Sequence, residues 1–392
     1  MATETFIFSP NTFAGELAKG YMAAALVEGD SVQRKLLTVI PNVKKRKILR
    51  GVDDSVEFQE PSCAFVGQSG SITLDETYLD PVKYEVMKEF CWADLISTWE
   101  SESMTAGSLH DSDQPVELAT FLRNYMLKKI KFANEQLYWI GKANVSAATV
   151  SFSSAYAGLL PKMISNGSTF KVSGNNGQLA ITGITNAGVV TVASTATLNN
   201  GDKVTLINTD GNQQYAGASI SGQTFTITVI NATTFSLGVA LTGGAAATTG
   251  WARFINRNNV TAVLASIYAQ ISEALRDDPD LVWYIPTHVR DAYKLSQSTS
   301  TNIVGAFLGD RELDFLGAKL ETVKAFSANT IVVAKKTNLF LAVYLLSDEN
   351  EINEVDLRKT TGDKKVRWNM VMKSDVNAKY FAEILMYTPT YG

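Results

Sequence analysis

Few side chains in this sequence could carry out acid–base or nucleophilic chemistry. The chain has two histidines in 392 residues, so a Ser-His-Asp arrangement would need His110 or His288 beside its nucleophile. His110 lies in a polar stretch rich in serine and aspartate, which predicts an exposed loop. His288 lies in the first turn of a predicted helix. We therefore expect neither histidine to be catalytic.

Sequence motifs for nucleotide or metal binding are also missing. There is no Walker A sequence and no G-x-G-x-x-G. The segment Gly67–Ser71 has a serine where the nucleophile elbow requires its last glycine, and Asp348–Glu351 lacks the spacing of a calcium loop. Cys63 and Cys91 are too few for a disulfide framework or a four-cysteine zinc site, so we interpret them as buried free thiols. The sequence predicts no enzyme, no metal and no cofactor.

The composition is that of a folded protein without a basic or a membrane-spanning segment. The chain is 45% hydrophobic and 19% charged, with a net charge of −4, whereas nucleic-acid-binding domains are usually basic. No run of about 18 apolar residues is present, and the N-terminus lacks the basic and apolar regions of a secretory signal. We expect no membrane association and no sequence-specific DNA binding.

The clearest internal boundary is a change in composition. Between Ser168 and Ala252 only four residues are charged, although the whole chain has 35 Lys and Arg and 39 Asp and Glu. Short alternating runs in this segment are separated by turn signals rich in Asn, Asp and Gly, which predicts the strands of a small sandwich or barrel. These runs are Val189–Ala193, Lys203–Ile207 and Thr224–Ile230. The pattern predicts a separate all-β module, 168–252, inserted into a host domain.

The host sequence on either side predicts an α+β fold. Apolar positions recur at helical spacing from Val116 to Lys142, which predicts a helix about 40 Å long. A second amphipathic helix is predicted from Val260 to Leu275. A buried strand at Leu281–Ile285 is followed by a helix that starts at Pro286 and Thr287. Further strands are predicted at Lys319–Val323, Thr330–Ala334, Leu339–Leu345 and Val366–Ser374.

Residues 1–80 form two pieces that have no core of their own. Residues 1–45 show one short helical pattern, from Phe13 to Val27, and residues 46–80 alternate like a long hairpin. An isolated two-stranded hairpin is only marginally stable in water. We therefore expect both pieces to pack on another surface, most economically that of a neighbouring copy of the chain.

Five stretches of the host sequence, together with the order of its parts, point to a known family. They are 80–101 (beginning DPVKYEVMK), 157–161 (AGLLP), 280–295 (DLVWYIPTHVRDAYKL), and 315–320 (FLGAKL) with the C-terminal stretch 330–387. These stretches and their order resemble the major capsid proteins of tailed bacteriophages, of the Hong Kong 97 type. The resemblance covers the chain except for the module 168–252, which resembles small β modules of phage virion proteins.

The resemblance assigns a role to each part of the chain. It implies an N-terminal arm (1–45), an E-loop hairpin (46–80) and a peripheral domain with a long spine helix (81–142), to which strands return from about 339–392. The axial domain would comprise 143–167 and 253–338. Copies would assemble into the hexamers and pentamers of an icosahedral head shell around packaged DNA. Expected partners are portal and scaffolding proteins, with decoration proteins as further candidates. The protein would be assembled in the bacterial cytoplasm and found in the virion.

A charge pattern near the predicted hairpin suggests how copies could recognise each other. The basic residues are Lys44, Lys45, Arg46, Lys47 and Arg50, and the acidic residues are Asp53, Asp54, Glu57 and Glu60. One block could pair with its opposite on a neighbouring copy, and such complementarity sets orientation more than affinity. The alternative is an ordinary solvated hairpin surface, and the sequence does not separate the two.

A second functional hypothesis is a phage tail or surface adhesive protein that uses the module 168–252 to bind glycans or a host surface. This hypothesis requires solvent-facing aromatic side chains on the module. The candidates are Phe170, Tyr215, Phe225, Phe235 and Trp251, and we expect most of them to fill the small core instead.

Overall fold

The structure is a computed structural model that describes residues 11–14, 26, 29–53, 73–91, 116–141, 155–166, 170–172, 177–299, 313–326, 329–344, 351–357, 363 and 365–387. The chain divides into two compact units. Unit 1 comprises Met1–Tyr138 and Phe340–Asn377, and unit 2 comprises Trp139–Leu339 and Ala378–Gly392. Each unit is therefore built from two distant stretches of sequence.

The described residues contain six α-helices. In chain order they are α1 (Asp30–Gln33), α2 (Val116–Ile140), α3 (Leu159–Ser165), α4 (Val260–Tyr268), α5 (Glu273–Arg276) and α6 (Thr287–Thr299). The predicted long helix is confirmed as α2, whose 25 residues span about 38 Å. The predicted helix that starts at Thr287 is confirmed as α6.

The prediction of one helix from Val260 to Leu275 is wrong. Helix α4 ends at Tyr268. A tighter turn follows, in which the Ile271 amide donates to the Tyr268 carbonyl three residues earlier at 3.0 Å. Ser272 then adopts an extended conformation and precedes the short helix α5. The apolar periodicity persists through this break because Ile271 is still buried in the core of unit 2.

The strands of the described residues fall into three groups along the chain. Before α2 lie β1 (Asn11–Ala14), β2 (Thr38–Ile40), β3 (Lys47–Asp53), β4 (Thr73–Leu79) and β5 (Val82–Cys91). After α3 come β6 (Phe170–Val172), β7 (Gln178–Ile184), β8 (Val189–Val192), β9 (Lys203–Ile207), β10 (Gln214–Tyr215), β11 (Ala218–Ser219), β12 (Thr224–Thr226), β13 (Thr228–Val229), β14 (Thr234–Ser236) and β15 (Trp251–Phe254). After α5 come β16 (Leu281–Ile285), β17 (Asp314–Phe315), β18 (Ala318–Thr322), β19 (Ile331–Lys335), β20 (Leu339–Val343), β21 (Glu351–Asp356), β22 (Lys365–Ala378) and β23 (Leu385–Tyr387).

Unit 1 is organised around the long strand β22. The sheet has the order β1-β21-β22-β20-β2, and β5 also pairs with β22. Two strands of the predicted arm belong to this sheet, because β1 pairs antiparallel with β21 and β2 pairs in parallel with β20. The predicted hairpin is a separate two-stranded sheet, in which β3 and β4 are antiparallel.

Unit 2 contains two larger sheets. The host sheet has the order β17-β18-β16-β19-β23-β6, and the second sheet has the order β12-β9-β15-β7-β8-β14-β13. All five residues of β16 are buried, as its uninterrupted apolar sequence predicts, and the buried faces of α4 and α6 belong to the same core. The second sheet has its own core, which includes Phe225 and Phe235. The predicted α+β class with an inserted all-β region is confirmed.

The seven-stranded sheet runs from Gln178 to Phe254, which differs from the predicted module 168–252 at both ends. Strand β6 lies inside the predicted module but pairs in parallel with β23 of the host sheet. Strand β23 in turn lies in the C-terminal stretch that was expected to return to the peripheral domain. These two strands are over 200 residues apart in sequence, and composition carries no information about such a pairing.

Asn329 joins the two sheets of unit 2. It is completely buried and has a left-handed backbone conformation, with φ of 65°. Its side-chain oxygen accepts the Ile255 amide at 3.1 Å, and its side-chain nitrogen donates to the Lys203 carbonyl and the Thr205 hydroxyl, each at 3.2 Å. A single amide thus satisfies backbone groups at the neighbouring ends of β15 and β9, which are paired strands of the inserted sheet.

Candidate functional site

The root of the hairpin in unit 1 is fixed by a small apolar core. Leu49 and Leu79 are buried on one face of the hairpin, where they pack with Val43 and Ala342. Because side chains alternate across a strand, the same register sends the neighbouring residues to the opposite face. The hairpin therefore has one face attached to its own chain and one face turned away from it.

The outward face carries an exposed apolar pair. Ile48 and Tyr78 are directly opposite each other in the hairpin, and they are 46% and 51% exposed. The guanidinium carbon of Arg46 lies 4.3 Å from the centre of the Tyr78 ring, a cation–π contact that holds the ring in place. The pair is thus an ordered apolar patch on the surface of unit 1.

Ion pairs frame this patch on both sides. Arg46 lies 3.2 Å from the Asp80 carboxylate, and Arg50 lies 3.2 Å from the Glu76 carboxylate. All four side chains are at least half exposed, so each pair contributes about 0–1 kcal/mol to stability. An apolar centre with a charged rim is the arrangement found in protein–protein interfaces.

The residues of the predicted basic and acidic blocks lie at different places around the hairpin. The basic residues Lys44, Lys45, Arg46, Lys47 and Arg50 are all exposed around the hairpin root. The two arginines have acidic partners within their own chain, Asp80 and Glu76, which were not part of the predicted acidic block. Asp53 ends β3 opposite Thr73, and Asp54, Glu57 and Glu60 lie outside the described residues. The pairing of one block with another copy stays a prediction.

Strand β5 continues from the hairpin and forms an outer strand of the sheet. It pairs with β22 over ten residues, and the part of the chain that the structure describes contains no strand on its other edge. Glu89 of β5 binds Lys365 at 2.6 Å and Arg367 at 3.0 Å, and these two hydrogen bonds lower the pKa of Glu89. An outer strand presents unpaired backbone groups to which another chain can add.

Buried polar contacts fasten β5 to the rest of unit 1. The Tyr84 hydroxyl donates to the Asn134 side-chain oxygen at 3.1 Å and lies 2.9 Å from the Ser374 hydroxyl. Burial raises the pKa of Tyr84, so the phenol stays neutral. These contacts connect β5 to α2 and to β22.

Part of the predicted arm also forms hydrogen bonds with α2. The Leu26 carbonyl accepts the Tyr138 hydroxyl at 3.0 Å. The Ser31 amide donates to the Glu135 carboxylate at 3.4 Å, and the Ser31 hydroxyl donates to the same carboxylate. Ser31 and Glu135 are both buried. Leu26 and residues 29–43 therefore pack on their own chain, contrary to the expectation that the whole arm packs on a neighbour.

The residues considered for chemistry have structural roles or lie outside the described residues. His288 is half-buried with its Nε2 atom 3.1 Å from the Asn329 side-chain oxygen, and burial lowers its pKa. Cys91 is exposed at the end of β5, so the prediction of a buried thiol is wrong for it. His110 and Cys63 lie outside the described residues. Within the described ranges, no group of three or more His, Cys, Asp or Glu could hold a metal ion.

The inserted sheet does not gather its aromatic side chains on one surface. Phe225 and Phe235 are buried in its core, as expected, whereas Tyr215 and Trp251 are exposed. Tyr215 packs edge-to-face on Phe225, with ring centres 5.7 Å apart. Phe170 belongs to β6 of the host sheet. Only two of the five candidates therefore remain for an adhesive surface.

No helix among the described residues has the length and apolar content needed to cross a membrane.

Comparison with known proteins gives structural neighbours only. No protein-family model and no curated protein matches the sequence. The chain is similar to a structure of the "Satellite phage P4 procapsid including size determination (Sid) protein", with 11% identity, a TM-score of 0.48, and coverage of 99% of this chain and 94% of that chain. It is similar to the "Capsid of native GTA particle", with 13% identity, a TM-score of 0.45, and coverage of 98% and 95%. It is also similar to a structure from Mycobacterium phage Cain, with 10% identity, a TM-score of 0.41, and coverage of 91% and 89%. Because each TM-score is below 0.5, these likenesses do not establish what the chain does.

Proposed function

We propose that this chain is the major capsid protein of a tailed bacteriophage, and that its copies assemble into the hexamers and pentamers of an icosahedral head shell around packaged DNA. The observation that carries the proposal is the outward face of the hairpin, where Ile48 and Tyr78 form an ordered apolar pair inside a rim of ion pairs. The described part of its own chain leaves this face about half exposed. A neighbouring copy would cover it.

The energy of such a contact is modest for each side chain. Complete burial of an isoleucine stabilises by about 1.5–3 kcal/mol relative to full exposure, and Ile48 is already about half covered. A neighbour would therefore gain about 1 kcal/mol from this side chain. Shell assembly fits contacts of this size, because each subunit repeats them with several neighbours and head-to-tail contacts close into rings.

The charges around the patch would set its orientation. Arg46 and Arg50 already pair with Asp80 and Glu76, and they hold the patch in shape. The exposed Lys44, Lys45 and Lys47 are then the cations proposed to meet Asp53, Asp54, Glu57 and Glu60 of a neighbouring copy. Such charge pairs act mainly on the rate and register of association.

The remaining partners follow from the proposed role. Portal and scaffolding proteins would contact the shell, decoration proteins could bind its outer surface, and DNA would be enclosed without sequence-specific contacts. The net charge of −4 suits such a container, because phosphate contacts dominate non-specific DNA binding. The protein would be assembled in the bacterial cytoplasm and reside in the virion.

Negative-stain electron microscopy and sedimentation velocity of the purified protein test the proposal. We expect the wild-type protein to form closed shells or six- and five-membered rings. We expect Ile48→Asp to abolish them, because the substitution places a charge in the centre of the contact. The matched control is Ile230→Asp, which places the same charge at an exposed isoleucine of the inserted sheet. A wild-type protein that stays monomeric at every salt and protein concentration would contradict the proposal.

The exposed Tyr215 and Trp251 support the second candidate function, an adhesive protein that binds glycans through the module 168–252. Exposed aromatic rings commonly serve as contact surfaces with one apolar and one polar side. Binding of the monomeric protein to a glycan array, lost in Trp251→Ala, would favour this candidate over the shell subunit.

A further inference from the structure

Two tight turns of unit 2 have the same geometry. Leu316 and Gly317 join β17 to β18 with φ values of 50° and 86°, and Ala216 and Gly217 join β10 to β11 with φ values of 52° and 78°. A two-residue hairpin loop with positive φ at both positions is a type I′ turn, for which Asn-Gly is the preferred sequence. Neither turn has asparagine at its first position.

Leucine is an unfavourable residue for the position that Leu316 occupies. A left-handed backbone places its Cβ too close to the following carbonyl oxygen, and the side chain is 60% exposed. Gly317 beside it has open space around it, and the part of the chain that the structure describes does not bury the Leu316 side chain. Asparagine would suit both the turn and the solvent better. The leucine is therefore better explained by a contact outside its own chain.

A cavity that could receive this side chain lies at the same end of the host sheet. Strands β16 and β18 are parallel and in register from Val282 and Lys319 onward, so the turn before β18 emerges where β16 begins. The cavity has a volume of about 80 Å³, and its apolar lining consists of Ile271, Leu275, Leu281, Val333, Ile384 and Leu385. Because Leu316 is mostly exposed, it does not occupy the cavity of its own chain.

We propose that Leu316 of one copy of the chain inserts into this cavity of the next copy. Each copy then presents a projecting side chain and a receiving cavity, which is the head-to-tail type of contact that closes into rings. The charged residue at the cavity, Glu383, is paired with Lys335 at 3.5 Å, so the insertion leaves no carboxylate uncompensated. The inference rests on the proposed function, and it identifies one residue and one receptor surface of the assembly.

The substitution Leu316→Asn separates the contact from the fold, and Ala216→Asn is its matched control in the other turn. Both substitutions place the preferred residue in a type I′ turn, so we expect each to raise the thermal midpoint of the dissociated protein by about 2–4 °C. Leu316→Asn should raise the protein concentration needed for assembly about tenfold or more. Ala216→Asn should leave that concentration unchanged.

Ala382→Phe tests the receptor, because Ala382 is an exposed residue that lines the cavity. The added ring should block the opening and weaken assembly as much as Leu316→Asn does. The double variant should be no weaker than either single variant, since both remove the same contact. Light scattering against protein concentration measures all three.

Several outcomes would overturn the inference. If Leu316→Asn assembles like the wild type, Leu316 is not the side chain that inserts into the next copy. If Ala382→Phe assembles normally, this cavity is not the receptor. Additive losses in the double variant would mean two separate contacts. These results all require a wild-type protein that self-associates. A wild-type protein that never does so overturns the proposed function itself, and the two failures are thereby distinguished.

Discussion

The inserted sheet and the hairpin of unit 1 solve the same problem, the burial of one strand face, in opposite ways. The inserted sheet surrounds its own core, in which Phe225 and Phe235 are buried. The hairpin buries Leu49 and Leu79 at its root but leaves Ile48 and Tyr78 exposed on the other face. A self-contained sheet needs no partner, whereas the hairpin leaves an apolar face that, under the proposed function, a neighbouring copy would cover.

The two regions also use charge differently. Both aspartates of the inserted segment close loops: Asp202 accepts the Asn199 amide at 2.8 Å, and Asp210 accepts the Thr248 amide at 2.7 Å. The hairpin instead places its charges on the surface, as ion pairs or exposed lysines. Local hydrogen bonds stabilise a loop inside one molecule, and exposed charges remain available to a second molecule.

The largest expected effect comes from a pair of aromatic deletions, one in each region. Phe235→Ala should destabilise unit 2 by about 3–5 kcal/mol, because it opens a cavity in a closed core. Tyr78→Ala should change the stability of the dissociated protein by about 1 kcal/mol, the size of its exposed cation–π and cross-strand contacts, and still weaken assembly. Urea denaturation of the monomer measures both. Similar losses in the two variants would show that the Tyr78 face is part of the fold, and the comparison would fail.

The next effect concerns the junction between the two sheets of unit 2. Asn329→Ala should cost about 2–4 kcal/mol, because it leaves buried backbone groups without partners and strains a left-handed residue. If the inserted sheet is self-contained, its melting should separate from that of the host sheet, with two calorimetric transitions in place of one. Asn329→Gly is the control for strain, since glycine adopts the same backbone conformation freely. A single transition in both variants would indicate that the two sheets fold as one body.

A smaller effect is expected from acid. The Thr248 side chain, with the Thr249 and Thr248 amides, holds the pKa of Asp210 at about 2, below its ordinary value of 3.8. Because the pKa is lower in the folded state, the stabilisation by this carboxylate is complete above about pH 4 and is lost as the pH falls through about 2. The thermal midpoints of wild type and Asp210→Asn should therefore differ most at neutral pH and converge near pH 2. A difference that does not change with pH would exclude this carboxylate as the cause.

The smallest effect on stability is expected at the hairpin lysines. The triple variant Lys44→Glu, Lys45→Glu and Lys47→Glu should leave the unfolding free energy within about 1 kcal/mol of the wild type. Assembly should slow markedly at low salt and recover as salt screens the repulsion. Reversal of Asp53, Asp54, Glu57 and Glu60 to lysine in the same chain should restore the rate. Normal assembly of the triple variant at all salt concentrations would assign these lysines to an ordinary solvated surface.

Periodic elements of the fold could be predicted from the sequence. The helical spacing from Val116 marks α2, and the apolar run at Leu281–Ile285 marks β16, because this run is too short for a typical helix and ends at Pro286. The break after Tyr268 could not be foreseen, since Ile271 and Leu275 continue the same apolar spacing on the far side. The pairing of β6 with β23 could not be predicted from the sequence either, because it depends on contacts between distant stretches of the chain.

The candidate site shows a similar division. Alternation predicted the hairpin strands, and the basic cluster was visible as a run of charges. The acidic partners of Arg46 and Arg50 could not be predicted, because cross-strand neighbours depend on a register that the intervening loop sets. The exposure of Leu316 was hidden as well. The sequence shows only the dipeptide Leu-Gly at this turn. The left-handed φ value of Leu316 could not be predicted, because leucine rarely adopts that backbone conformation.

The first and last strands of the inserted segment, β7 and β15, lie side by side, and this has a consequence for replacing the segment. Gln178 of β7 lies beside Arg253 of β15, and the Phe254 amide donates to the Gly177 carbonyl at 2.8 Å. The segment therefore leaves and rejoins the host at nearly one point, the geometry in which domain insertion is tolerated. We expect that the sheet can be removed, or replaced by an unrelated domain, with the host strands kept in place, provided that the buried Asn329 is replaced as well, because its side chain would lose its partners in the sheet. For protein engineering, these two neighbouring ends are a position at which we expect a foreign domain to be accepted and displayed.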